Sequence, residues 1–152
     1  MDEKRALKID LDMLCSAMDD SSYEHDYYLD LETGEILFIS DYMDEADIEE
    51  LRDKIDENPN RYELIPKAEP HEGYNDMVDF ITTIEDEHLV ELFEVAINGK
   101  GAFRRFKDVL AYHPEERERW YRFKNDRMKE RALEWLETIG IVYVRNDLYG
   151  ID

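Results

Sequence analysis

The apolar positions of this chain change period several times, and each change predicts an element. Leu11, Leu14, Cys15 and Met18 stand at i, i+3, i+4 and i+7 behind Asp10, which predicts a short helix with an aspartate N-cap. Residues 19–26 are polar and acidic and read as a loop. Residues 27–31 and 35–40 are richer in aromatic and β-branched side chains and flank Glu32-Thr33-Gly34, so they predict a hairpin with Gly34 in the left-handed conformation. Ile48, Leu51 and Ile55 form a narrow stripe within 44–57, whose other faces are nearly all charged, as expected of a surface helix. Asn58-Pro59-Asn60 ends that helix. Residues 61–65 predict a third strand, stopped by Pro66, and 67–73 read as a loop.

From Tyr74 onward the pattern is helical. Tyr74, Met77, Val78, Ile81 and Ile84 mark one amphipathic segment. Residues 87–98 mark another, with Leu89, Leu92, Phe93 and Ala96 on one face and Val90, Val95 and Ile97 beside it. Such a helix, apolar most of the way round, is expected at the centre of the core. Residues 101–112 predict a helix with Phe103, Phe106, Val109 and Leu110 inward. Pro114 suits a first helical turn and opens a long helix to Gly140, with Tyr121, Met128, Ala132, Trp135 and Ile139 as its core line and Leu136 beside it. Residues 141–144 predict a last strand. The pattern adds up to an α+β class fold: a single domain over 1–152, with a small, mainly antiparallel sheet of three or four short strands packed by about six helices.

Charge divides the chain where periodicity does not. Residues 1–98 hold 30 Asp and Glu against 7 Lys and Arg, whereas 99–152 hold 10 against 12. The total is −21, with 12% aromatic residues, which argues for a packed core in spite of the charge. So large an excess repels nucleic-acid backbones and membrane surfaces and opposes direct nucleic-acid binding. One cysteine, Cys15, permits no disulfide framework or thiolate cluster, and its place on the apolar stripe predicts a buried, inert thiol. The Met1-Asp2-Glu3-Lys4-Arg5 start carries no apolar leader, and no run reaches membrane-spanning length, so a soluble cytoplasmic protein is expected.

The base-rich part contains Gly101-Ala102-Phe103 and Phe106-Lys107-Asp108, then Trp120-Tyr121 with Phe123, then Trp135-Leu136 and Gly140-Ile141. With Met77, Phe80 and Ile81 before Leu89 and Leu92, these strings resemble the bacterial proteins grouped as uncharacterised protein family 0158, over roughly residues 26–144. The resemblance implies a small α+β protein without an assigned activity, and it brings no catalytic residues.

The residues themselves offer one candidate site. Lys124, Arg127 and Arg131 follow Trp120 at i+4, i+7 and i+11, so an aromatic plate continued by cations is expected on one face of the long helix. Lys100, Arg104, Arg105 and Lys107 from the preceding helix extend it into a candidate anion patch for phosphate or nucleotide. The opposing reading pairs these cations with the acidic first half, within the chain or across a homodimer. Other signals are weaker. Gly99-Lys100-Gly101 lacks the full phosphate-loop pattern and reads as a helix stop followed by close helix packing at Gly101. Asp41, Asp44, Glu45 and Asp47, and separately Asp30 with Glu32, read as capping and hairpin residues rather than cation ligands. His25, His71, His88 and His113 show no metal spacing. No catalytic residue, cofactor or metal is expected. The leading expectation is a non-enzymatic regulatory or protein-binding module whose acidic half engages a basic protein partner; the alternative is an anion- or nucleotide-binding protein or enzyme using the patch.

Overall fold

The computed structural model describes residues 4–146; residues 1–3, read above as part of a start without an apolar leader, and 147–152 lie outside the described residues. Six helices and five strands occur among the described residues, and the fold is α+β. The chain divides into two compact units, one from residues up to Ala68 together with those from Met128 onward, the other from Glu69–Arg127.

The first unit contains both sheets. β1 (Arg5–Ile9) lies parallel to β5 (Ile141–Arg145), with Arg5 opposite Ile141 and Ile9 opposite Arg145. β2 (His25–Asp30) and β3 (Ile36–Ser40) form the expected hairpin, and β4 (Tyr62–Leu64) adds antiparallel to the other edge of β2, giving the order β3-β2-β4. α1 (Leu11–Asp19) is capped by Asp10, whose carboxylate accepts from the Met13 N–H at 3.1 Å. It buries Leu14, Ala17 and Met18 beside Leu7, Ile9, Leu29, Ile65, Met128, Ala132, Leu136 and Ile141. Cys15 is half-buried rather than buried. Burial, with the nearby Asp12 charge, pushes its thiol up to about 11, which keeps it protonated and unreactive near neutrality.

β1 was not apparent from the alternation, because only Leu7 and Ile9 are apolar and buried in a short, charged segment. Its pairing gives the last strand a parallel partner rather than a place in an antiparallel sheet. At the hairpin, Gly34 has φ +81°, as expected, and a Cβ there would sit 1.9 Å from the Lys8 carbonyl oxygen of β1. The turn therefore requires glycine on two counts, conformation and space. α2 (Glu45–Glu57) buries no residue; Ile48, Leu51 and Ile55 are only half-covered.

The second unit is helical: α3 (Pro70–Ile81), α4 (Glu87–Ala96), α5 (Ala102–Ala111) and the section of α6 (Pro114–Thr138) up to Arg127. α3 starts inside the segment expected to be loop. Pro70 presets the first turn, and Glu69 and Glu72 form a reciprocal capping box that satisfies its free N–H groups. Asp86 caps α4 by accepting from the His88 and Leu89 N–H groups. Gly101 precedes α5 with φ +77°, and the nearest atom to a Cβ there is 3.9 Å away, so its role is conformational rather than the close packing expected.

The core of this unit is aromatic. The Phe80 ring meets Phe93, Phe106, Trp120 and Phe123 edge-on at centroid separations of 5.3–6.5 Å. The inward assignments of Phe103 and Leu92 change, and so does the place of Val95 beside them. Phe103 is exposed and packs toward Gly73, Leu92 is exposed, and Val95 is 75% exposed. α4 thus carries an apolar outer stripe and is not central. On α6, Trp120 is buried in this core and Tyr121 exposed, while Met128, Ala132 and Leu136, at steps of four, are buried in the core of the first unit. Trp135 and Ile139 are partly buried against it.

Candidate functional site

The residues of the anticipated anion patch have separate fates. Trp120 is enclosed by Phe80, Phe106 and Phe123, so its ring belongs to the core and is not the surface plate that the spacing suggested. Arg127 turns across α6 to α3, where Nη2 lies 2.8 Å from Asp79 Oδ2 and Nη1 3.6 Å from Asp76 Oδ1. Its guanidinium also covers the Phe123 ring at 4.9 Å. Asp76 is buried, so an adjacent cation offsets part of the desolvation of its carboxylate.

Arg105 donates from Nε to the Ala96 carbonyl at 2.9 Å and from Nη2 to the Asn98 carbonyl at 2.6 Å. These carbonyls end α4, where a cation satisfies unpaired acceptors and opposes the helix dipole. Arg119, outside the anticipated patch, makes a similar link: it pairs with Glu116, donates to Thr83, and stacks over Phe80. Lys124 is half-buried and engaged. Arg131 is also half-buried and engaged, but lies on the α6 section that belongs to the first unit. Lys100, Arg104 and Lys107 are exposed. On α5, Arg105, Asp108 and Val109 share the flank toward α4, while Phe103 and Lys107 share the opposite one.

An open depression of about 570 Å³ lies between α4 and α5, lined by Leu92, Val95, Ala96 and Asn98 of the α4 side and Arg105, Asp108 and Val109 of α5. With Arg105 donating to the α4 carbonyls and the Asp108 carboxylate in the lining, the depression is unlike a phosphate cradle.

A polar cluster in the first unit was not anticipated. The Asp20 carboxylate accepts from Tyr27 Oη and from His25 Nδ1, both at 2.6 Å, and from the Ser22 N–H at 3.0 Å. The Tyr27 hydroxyl and the His25 ring hold the Asp20 carboxyl well below the usual carboxylate range. Burial and the bond to Asp20 push Tyr27 up to about 12. Lys67 Nζ donates to the Asp20 and His25 carbonyls, at 3.0 and 2.7 Å. An ionised Asp20 fixes the Nδ1–H tautomer of His25, and the Phe38 ring packs edge-on against it at 5.1 Å. The cluster ties the 20–24 loop to β2 and to the segment after β4. Asp20 and His25 fell in a stretch that read as loop, and Lys67 is 47 residues from Asp20, so no local pattern joins them.

Asp30 is the second latch. It is 3% exposed, and the Arg61 fork reaches it with Nε at 3.0 Å and Nη2 at 2.9 Å. Burial raises the Asp30 carboxyl, but the Arg61 fork, the Glu32 N–H and the Thr33 side chain outweigh it and hold it at about 2. Asp44 caps α2 through the Ala46 N–H. Among the described residues, no three His, Cys, Asp or Glu side chains converge as a metal-binding group. No helix among them is long and apolar enough to cross a membrane.

Sequence comparison supplies the family. The chain is 35% identical over 137 residues to a UPF0158 protein of Pseudomonas aeruginosa, a match covering 90% of this chain and 86% of that one. It is 34% identical over 132 residues to UPF0158 proteins of Chlamydia trachomatis and Chlamydia muridarum, covering 86% of this chain but 40% of each of theirs. The chlamydial relatives are thus much longer than the part they share with it. No solved structure matches the chain significantly. The family described as Uncharacterised protein family (UPF0158) matches residues 4–149, nearly the whole chain, and the protein belongs to it.

Proposed function

We propose that this protein is a non-enzymatic regulatory or protein-binding module of the bacterial cytoplasm that engages a basic protein through its acidic surface. The observation that carries the reading is α2 with its cap. Residues 44–57 hold eight Asp and Glu against Arg52 and Lys54, and none of the helix is buried. Arg52 lies 3.6 Å from the Asp26 carboxylate of β2. The reading also draws support from the second unit, where Arg105, Arg119 and Arg127 are spent on internal carbonyls and carboxylates. A protein built to hold a phosphate leaves such groups converging on a cavity; one built to present acids uses them inside.

The alternative, an anion or nucleotide site or an enzyme acting there, draws support from the exposure of Lys100, Arg104 and Lys107. Two measurements separate them. A short poly-lysine peptide should bind the protein at low salt, and Glu49→Lys with Asp53→Lys and Asp56→Lys should weaken that binding at least tenfold. ATP, GTP and inorganic phosphate should leave the melting temperature unchanged. Protection by a nucleotide, together with poly-lysine binding indifferent to the α2 reversal, overturns the proposal.

A further inference from the structure

We infer that the depression between α4 and α5 is a docking groove for an amphipathic helix of a basic protein partner. The inference rests on the reading that the partner is basic, and adds where and how one of its segments seats. The groove's apolar surface is not an accident of a loose core. Leu92 is 40% and Val95 75% exposed, three residues apart on α4, and Val109 faces them from α5. The same helix buries Leu89 and Phe93 on its inner face, so α4 is apolar on two sides. The inner side is accounted for by the Phe80 cluster; the outer side has no such occupant among the described residues. Spacing of three residues along one wall suits side chains at i, i+3 and i+4 of an inserted helix.

Charge selects the occupant. Residues 85–98, which are α4 with its leading turn and the end of the helix, contain Glu85, Asp86, Glu87, Glu91 and Glu94 and no Lys or Arg. Asp108 adds an acid to the lining, and the guanidinium of Arg105 is turned onto the Ala96 and Asn98 carbonyls. An apolar strip on a helix segment that carries five acids and no base matches a helix with Leu-type residues on one face and Lys or Arg on its flanks. A second copy of this chain brings the same carboxylates and is opposed by like charge.

The test uses a model amphipathic helix of leucine and lysine, its leucine–glutamate counterpart, and poly-lysine. The leucine–lysine helix should bind, and the leucine–glutamate helix should not. Val95→Gln should weaken the leucine–lysine helix about tenfold and leave poly-lysine binding unchanged; Leu92→Gln should do the same. Val95 is exposed enough for its substitution to leave the melting temperature intact, and Val142→Gln, at an exposed valine of β5, serves as the control that leaves helix binding unchanged. If the helix binds and Val95→Gln has no effect while the α2 reversal abolishes binding, the groove is overturned and the basic-partner reading stands. Binding of neither cationic probe overturns both. A dimer in sedimentation that Val95→Gln dissociates assigns the groove to a second copy and overturns the inference.

Discussion

The two units of this protein solve the same packing problem with different side chains. The first surrounds its sheets with leucine, isoleucine, methionine and alanine, and closes its loops with buried or half-buried carboxylates, Asp20 and Asp30. The second, roughly 60 residues of helix, gathers Phe80, Phe93, Phe106, Trp120 and Phe123, and lays Arg119 and Arg127 over the rings. A helical unit of this size buries only about 60% of its unfolded surface, so each core residue must contribute more. Aromatic rings bury the most area per residue and gain further from edge-on contact. Where sheets supply a backbone lattice, smaller aliphatic residues suffice, and hydrogen-bonded carboxylates can set the loops. A few of the many acids are therefore structural: Asp20 and Asp30 accept bonds in one unit, and Asp76 and Asp79 meet Arg127 in the other.

Breaking the aromatic hub gives the largest expected effect. Phe80→Ala should cost about 3–5 kcal/mol, as large-to-small core changes do. Amide exchange should accelerate in α3, α4 and α5 more than in β2 and β3; equal acceleration throughout would merge the two units into one cooperative body. Gly34→Ala is the counterpart in the sheet unit. A left-handed alanine costs about 1–2 kcal/mol, and relieving the overlap with the Lys8 carbonyl adds about 1–3 kcal/mol. Denaturant melts should show the loss, and β1 and the hairpin should lose exchange protection first. A melt equal to wild type would remove the β1–hairpin contact from the description of this unit.

Acid should act on the carboxylate latches next. The Asp30 carboxyl at about 2 lies below its ordinary value near 4. A depressed pKa means that the folded state favours the ionised form. Its stabilisation is complete above pH 4 and is lost as pH falls from about 4 through 2, about 2 kcal/mol in all. Asp20 shifts in the same direction and steepens the loss. Denaturation midpoints across this range, for wild type and Asp20→Asn, check it: the variant should show a shallower decline, and an identical decline would exclude the cluster as a latch. The smallest effect is electrostatic and belongs to the helical unit. Arg127→Glu should cost about 1–2 kcal/mol by removing a charged partner from Asp79 and the buried Asp76. The loss should shrink in high salt, because part of this pair is exposed and screened. An unchanged melt at low salt would show that the arginine does not stabilise α3 against α6.

The elements were largely legible in the sequence because their signals are local. Asp10, Asp44 and Asp86 each stand one residue before a helix and accept its first N–H groups, and Gly34 takes the positive φ that a tight hairpin demands. The α+β class followed from such segments taken together, and the family resemblance from the strings around Gly101 to Asp108, Trp120 and Trp135. The candidate site was legible only as a set of residue types. Helical spacing placed Trp120 and the cations Lys124, Arg127 and Arg131 near one line, but which side of that line faces the core depends on the neighbouring helices, and Phe80 and Phe106 draw Trp120 inward. Arg127 found Asp76 and Asp79 about 50 residues away, and a composition with 40 acids cannot name which two come close. The parallel pairing of β1 with β5 and the Asp20 cluster join segments far apart in the chain as well. Caps, turns and periodicity are decided over a few residues, where backbone geometry acts. Helix rotation, strand partnership and the destination of each charge are decided by contacts that exist only once distant segments have packed.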